Sequence, residues 1–341
     1  MFQPLWMMNP LAVSQYLGNE KERFDVVIFD ESSQIPIEDA LPSIYRSKQL
    51  VVVGDDQQMP PSNYFSTQSE DALTLLTQAN TSFKKFMLNW HYRSRNPQLI
   101  HFSNQYFYDG ELKTFPPTTK ESPIEFIHHK GVYDAGSNEE EARLIANELS
   151  KEKDLNACAV IAFSKEQEKT IRNALKVKKV EEEQLLIRNL ENVQGIERDI
   201  VYISVGYGFN AEGVFRKNFG PLNQEYGLNR LNVMVSRAKQ KMKVFSSVSQ
   251  SDFELSDNLG VQCLADFLGF VEQQSNQFTQ AEPSEQLITI DTEKFDLSFY
   301  NNQNSTSIQA YVQHKSRKVL LIEPGLDPKY DLANVFDDLQ E

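Results

Sequence analysis

Phe24-Asp25-Val26-Val27-Ile28-Phe29-Asp30-Glu31-Ser32-Ser33-Gln34 (FDVVIFDESSQ) is the stretch whose reading decides the fold. Its apolar residues run on without alternating with polar ones, the pattern of a strand covered on both faces. It then ends in two adjacent carboxylates. A second such run, Leu50-Val51-Val52-Val53, ends in Gly54-Asp55-Asp56-Gln57-Gln58-Met59-Pro60-Pro61. Ala157 to Phe163, Ile200 to Val205 and the shorter Lys243-Val244-Phe245 repeat the character. Between them, Asn138 to Lys153 sets Ala142, Leu144, Ile145 and Leu149 near helical spacing, with acids in the first turn where the helix dipole favours them. Ser164 to Leu175 repeats the device behind an N-cap serine. Buried strands alternating with amphipathic helices make an α/β protein with parallel sheets, whose ligands sit at the carboxyl ends of the strands.

Charge is unevenly spread. The 341 residues hold 34 Lys+Arg and 48 Asp+Glu, a net of -14. Residues 251–341 hold 16 of the acids and 5 of the bases, a net of -11, which leaves -3 for residues 1–250. A uniformly acidic chain would repel nucleic-acid phosphates, whereas a near-neutral body with an acidic tail need not. Cys158 and Cys263 are too few for a disulfide framework, so a reducing, cytoplasmic setting is expected. No run reaches the roughly 18 apolar residues of a membrane span. The uncharged first 19 residues are broken by polar side chains and have no basic segment before them, unlike a signal peptide. The five His show no metal-ligand spacing.

Two carboxylates at the tip of a buried strand suit a Mg²⁺–nucleotide, one acid holding the metal and the other directing water. Alone, an Asp-Glu pair is no more than a strand meeting solvent. Strand ends reading DExxQ and GDxxQxPP, about 20 residues apart, are a much rarer coincidence.

These two ends resemble motifs II and III of the superfamily 1 DNA/RNA helicases, in the branch of the nonsense-mediated-decay helicase and its bacterial relatives. Later stretches follow the family's order. Leu88-Asn89-Trp90-His91-Tyr92-Arg93-Ser94, with Leu99-Ile100, Phe102-Ser103-Asn104 and Phe107-Tyr108, is similar to the motif opening the second RecA-like domain. Asn189-Leu190-Glu191-Asn192-Val193-Gln194-Gly195-Ile196-Glu197-Arg198-Asp199 resembles motif V, and Leu231-Asn232-Val233-Met234-Val235-Ser236-Arg237-Ala238-Lys239 resembles motif VI.

The resemblance covers residues 1 to about 270 and implies RecA-like parallel sheets of the P-loop NTPase type. Residues 1–85 would be the C-terminal part of a first domain, 86–272 a complete second domain, 273–285 a linker and 286–341 an acidic extension. It implies an ATP-dependent helicase using ATP and Mg²⁺ on single-stranded DNA or RNA. Asp30 would hold Mg²⁺, Glu31 would act as general base, and Gln34 and Gln58 would sense the γ-phosphate. Gly54, Asp55, Gln194, Gly195 and Glu197 would line the nucleotide, with Arg93 and Arg237 as arginine fingers. Nucleic acid would touch Asn9 and Pro10 in the Met7–Leu11 segment, Trp90 and Asn104.

The family's Gly-Lys-Ser/Thr phosphate loop is missing from the pattern: none of the 14 glycines precedes a Lys. The expectation is therefore the C-terminal portion of a helicase, inactive alone: either a split or truncated reading frame, or a chain whose ATP site is completed by a separate polypeptide carrying that loop. The alternative is a non-catalytic nucleic-acid-binding or regulatory protein that kept the fold. In the tail, Phe295-Asp296-Leu297 and Val319-Leu320-Leu321-Ile322-Glu323 are only faintly similar to a nuclease pattern, with Pro324-Gly325 where its Lys would stand. A strand-rich cap without chemistry is the better expectation.

Overall fold

The structure, a computed structural model, describes residues 5–18, 23–60, 73–115, 117, 122–215, 218–253 and 258–280, and the strands at 286–292, 295–301, 308–314 and 317–323. From residue 277 onward the description is of the backbone alone. Pro61, residues 281–285 and the tail beyond Glu323 lie outside the described residues.

Helix α1 (Pro10–Tyr16) starts at Asn9, whose side chain accepts the Ala12 amide at 2.7 Å, with Pro10 at the first helical position. Strand β1 (Phe24–Phe29) pairs in parallel with β2 (Ser47–Val52), the crossover passing through α2 (Ile37–Tyr45). Helix α3 (Leu75–Ser82) follows, capped by Thr74. Phe29, Ala40 and Leu75 form the core of this small sheet, with Val27, Ile44, Leu50 and Val52 packed on it. The expectation that β1 and β2 are covered on both faces is not met. Val26 is 45% exposed, Ile28 66% and Val51 37%. The cause is that the described residues supply helices to one face only, so the apolar side chains that alternate away from α2 and α3 meet solvent.

Strand β3 (Trp90–His91) pairs with β4 (Lys113–Thr114) across α4 (Gln98–Phe107). The main sheet is built from β5 (Ile124–His128), β8 (Cys158–Ala162), β9 (Leu186–Asn189), β10 (Arg198–Ser204) and β11 (Ala238–Ser246). A short antiparallel ribbon, β6 (Tyr133–Asp134) with β7 (Ser137–Asn138), lies between β5 and α5 (Glu139–Leu149). The five strands stand in the order β5-β11-β10-β8-β9, every pair parallel. Side chains alternate between two cores. Ile161, Val201, Ile203, Met242 and Val244 join the core that includes α4, α7 (Gly227–Val235) and α8 (Leu259–Gln280). Val160, Ala162, Tyr202 and Phe245 join the core shared with α5 and α6 (Lys165–Lys178). A parallel sheet with helices on both faces is the RecA-like α/β arrangement, and its carboxyl edge is where ligands bind.

Helix α8 runs to Gln280, so residues 273–280 of the expected linker are helical. Glu272, Gln273 and Gln274 are good helix formers, and the first proline after them is Pro283. Beyond it, β12 (Gln286–Thr292), β13 (Phe295–Asn301), β14 (Ile308–His314) and β15 (Arg317–Glu323) form an antiparallel meander. Among the described residues no helix is long and apolar enough to cross a membrane.

Candidate functional site

The carboxyl ends of β1 and β2 are tied together. Ser32 donates both its amide (3.0 Å) and its hydroxyl (2.6 Å) to the Val53 carbonyl. The approach requires Gly54, because a Cβ there would lie 2.5 Å from Ser32 Oγ and 3.1 Å from the Ser33 amide nitrogen. At this tip Asp30 Oδ1 accepts the Glu31 amide at 2.9 Å, and Glu31 takes a left-handed backbone with φ 51°. Glu31 Oε2 accepts two side-chain amides, Gln34 Nε2 at 3.3 Å and Gln194 Nε2 at 3.1 Å. The Gln194 contact brings the loop between β9 and β10 onto the acid pair, while Gln194 Oε1 is buried without a hydrogen-bond partner. Gly195 follows with φ +75° and nothing within 4 Å of the place of a Cβ, so conformation rather than space calls for glycine.

The loop after β2 is held as firmly. Asp55 Oδ2 accepts Gln58 Nε2 at 2.9 Å and the Tyr108 hydroxyl at 2.7 Å. Two asparagines of α7 reach the loop's carbonyls: Asn229 Nδ2 donates to Asp56 (3.1 Å) and Gln58 (2.9 Å), and Asn232 Nδ2 to Gln57 (2.9 Å). Asn232 Nδ2 also donates to the Tyr108 oxygen at 3.0 Å and its Oδ1 accepts from Ser103. Burial and the neighbouring Asp55 carboxylate hold the Tyr108 proton on well above the usual range.

Opposite the acids lies a cationic group. Glu197 accepts Arg93 Nε at 2.8 Å and Lys239 Nζ at 2.7 Å, and these two cations, Lys239 foremost, pull its carboxyl down to about 2. Arg237 is 2% exposed and spends its donors on the Val233 carbonyl (2.7 Å), the Ile196 carbonyl (3.4 Å) and Ser236 Oγ (2.8 Å). Burial and then the nearby Arg93 lower it to about 10, while Glu31 pulls the other way. Burial, Arg93 and Arg237 likewise push His91 down to about 4; its Nε2 accepts the Ser94 amide at 3.1 Å.

Among the described residues no group of three or more His, Cys, Asp or Glu is placed to hold a metal. Asp30 and Glu31 by themselves fit a cation that arrives with oxygens of its own, as one bound to phosphate does.

The expected nucleic-acid residues divide. Trp90 is half exposed, lies 5.2 Å from the Phe115 ring and has Lys113 Nζ over its own ring, 5.8 Å from the centroid, a partly exposed aromatic pair with a cation beside it. Asn9 and Pro10 start α1, with Met7 and Leu11 exposed around them. Asn104 differs: it is buried, and its amide donates to the Leu112 carbonyl (3.0 Å) and accepts the Leu112 amide (2.9 Å). It braces a turn and has no face left for a strand. Tyr108, Asn229 and Asn232 carried no role in the sequence reading. The available signal was two asparagines three residues apart on a largely apolar helix, one face of which must find partners.

At the carboxyl edge of the main sheet, a cavity of about 320 Å³ is lined by Tyr133, Phe163, Lys165, Glu191, Tyr207 and Gln224, among others. Beside its walls lies a fully buried carboxylate. Glu141 Oε1 accepts Ser204 Oγ (2.5 Å) and the Gly206 amide (2.8 Å), and its Oε2 accepts His129 Nε2 (2.9 Å).

Comparisons with known proteins bear on this geometry. The AAA_12 family model, an AAA domain, matches residues 70–249, just over half of the chain. A protein of Mycoplasma pneumoniae named an uncharacterized ATP-dependent helicase, the MG140 homolog, is 28% identical over 312 residues, covering 80% of this chain and 28% of that protein. Helicase sen1 of Schizosaccharomyces pombe is 25% identical over 257 residues, 66% of this chain and 15% of its own. The chain therefore spans under a third of the length of these relatives. A solved structure, the C-terminal domain of a possible DNA helicase from Lactobacillus plantarum WCFS1, aligns at 17% identity and a TM-score of 0.29, over 46% of this chain and 86% of that one. With the match over residues 70–249 and the motif-bearing loops converging as described, the chain belongs to the AAA_12 family of AAA domains, of the superfamily 1 helicase type.

Proposed function

We propose that these residues form the C-terminal part of an ATP-driven helicase motor acting on single-stranded DNA or RNA. Residues 1–85 and 86–272 are its two units, and 286–341 an extension. The phosphate-cradling loop comes from sequence outside these 341 residues, in the same or a separate polypeptide. The observation that carries the reading is Gln194 Nε2 lying 3.1 Å from Glu31 Oε2, since it brings a side chain from beside the main sheet onto the acids at the tip of β1.

Mg²⁺–ATP, when bound, would supply the cation and the scissile phosphoanhydride. Asp30 would hold the cation. Glu31, oriented by two neutral amides rather than by a cationic side chain, keeps a carboxylate oxygen able to take a proton from water. Gln58 would leave Asp55 to reach the γ-phosphate, and Gln34 would read the same group. Arg237, at about 10, stays charged at neutral pH, and would leave the Val233 and Ile196 carbonyls to reach the phosphate. Arg93 joins it when Glu197 releases the guanidinium. Trp90 with Lys113 offers stacking and charge to a single strand, and residues 1–250 carry a net charge of only -3 to oppose its phosphates.

The test is nucleic-acid-stimulated ATP hydrolysis by the full-length protein. Glu31→Gln is expected to lower the rate at least ~10²-fold with nucleotide affinity retained. The 341 residues without a phosphate loop are expected to be inactive. No stimulated hydrolysis, across DNA and RNA, by the protein together with the sequence that carries the phosphate loop overturns the reading.

A further inference from the structure

Helix α7 carries Arg237 just beyond its C-terminal end and the two loop-gripping asparagines on its body. Asn229 and Arg237 are eight residues apart, roughly 12 Å along a helix. A short helix of this kind, packed into the main core through Leu231, Val233, Met234 and Val235, is rigid along its length. At its far end three successive carbonyls, those of Asp56, Gln57 and Gln58, all take donors from Asn229 and Asn232. The Asp55 carboxylate adds a second connection. Its Oδ2 is shared by the Gln58 amide and the Tyr108 hydroxyl, and the Tyr108 oxygen is in turn a second acceptor for Asn232.

We infer that Tyr108 and Asn232 are positioning residues that relay displacement of Gln58 to Arg237: Asp55 is the pivot, Tyr108 the link and α7 the rod. The inference rests on the proposed function for the meaning of the displacement, but the mechanical connection stands on the contacts alone. When Gln58 is drawn off Asp55, Oδ2 loses one donor and keeps Tyr108, so the loop can shift without breaking free of α7. Tyr108 is suited to this because its one hydroxyl both donates to Asp55 and accepts from Asn232. Neither residue touches the reacting atoms.

The experiment is amide hydrogen exchange on the full-length protein, wild type against Tyr108→Phe and, as a second variant, Asn232→Ala. The control is Tyr106→Phe, outside the relay. Without nucleotide, Tyr108→Phe is expected to speed exchange about tenfold both at residues 55–58 and at residues 233–237, with the control at wild-type rates. Faster exchange at 55–58 with 233–237 unchanged in both variants overturns the relay, as does no change at either segment. A second arm adds a non-hydrolysable ATP analogue with Mg²⁺. Wild type is expected to gain protection at both segments, and Tyr108→Phe at 55–58 only. Equal protection of 233–237 in the two proteins overturns the relay. A wild type that fails to respond to nucleotide sinks the helicase reading instead, while the nucleotide-free arm still decides the relay.

Discussion

Replacing Glu141 by Gln is nearly isosteric, yet it should be among the costlier single changes in the molecule. The carboxylate is fully buried and receives three donors: Ser204 Oγ, the Gly206 amide and His129 Nε2. The imidazole cannot adapt, because His129 Nδ1 accepts the Gly131 amide at 3.0 Å and the ring proton must therefore sit on Nε2. A glutamine that keeps its oxygen on Ser204 and Gly206 points its NH₂ at the Nε2–H, donor against donor. Flipping the amide satisfies His129 and strands the Gly206 N–H. Changing the ring tautomer moves the collision to Gly131. Every arrangement leaves at least one buried donor without an acceptor and removes a charge-assisted bond, about 3 kcal/mol together. For a domain of this size that is a midpoint roughly 6 to 12 °C lower. The assay is urea and thermal denaturation of wild type and Glu141→Gln side by side. A loss below about 0.5 kcal/mol would show that the network relaxes freely and would refute the donor-counting argument.

The ion cluster at Glu197 predicts a pH signature. Its carboxyl is held down to about 2, so the stability it contributes is complete above its ordinary value of 4.5 and fades as pH falls toward 2. Urea midpoints should therefore separate wild type from Glu197→Gln at pH 6 and bring them closer at pH 3, and a gap that does not change with pH would count against the pairing. Lys243, nearly buried, reaches Glu148 at 3.2 Å, Glu152 at 3.6 Å and Glu125 at 3.9 Å. Lys243→Met leaves those acids facing one another and should cost about 3 kcal/mol in denaturation, whereas an unchanged midpoint would mean that solvent already screens them.

Strands β8, β10 and β11 of the main sheet and the two helices α5 and α6 were legible because their apolar spacing follows from burial that the chain itself provides, whereas β5 and β9 were not read as strands. Asp30 and Glu31 could be chosen from their position at the end of a strand, Gln34 and Gln194 from the family resemblance, and the structure brings Glu31, Gln34 and Gln194 to one point. Coverage was not legible: a continuous run such as Val26 to Phe29 says that both faces are apolar, not that something lies over each. Nor was the direction of a side-chain amide. Asn104 and Asn232 look alike in sequence, yet one closes a turn on Leu112 and the other spans to Gln57 and Tyr108, a difference set by contacts far along the chain. Helix α8 outran the expected linker because Gln- and Ser-bearing sequence is compatible with either state until a proline intervenes.

The open face of the β1–β2 sheet has a consequence for the chain as a material. Val26, Ile28 and Val51 lie on one two-stranded ribbon among the described residues, apolar side chains beside unsatisfied strand edges. Two copies can cover each other there, or a chaperone can cover one. Self-association of this kind makes an apparent midpoint depend on protein concentration. The denaturation comparisons above therefore have meaning at one fixed concentration, and dilution becomes a direct measure of how much of the chain's apparent stability is borrowed from its neighbours.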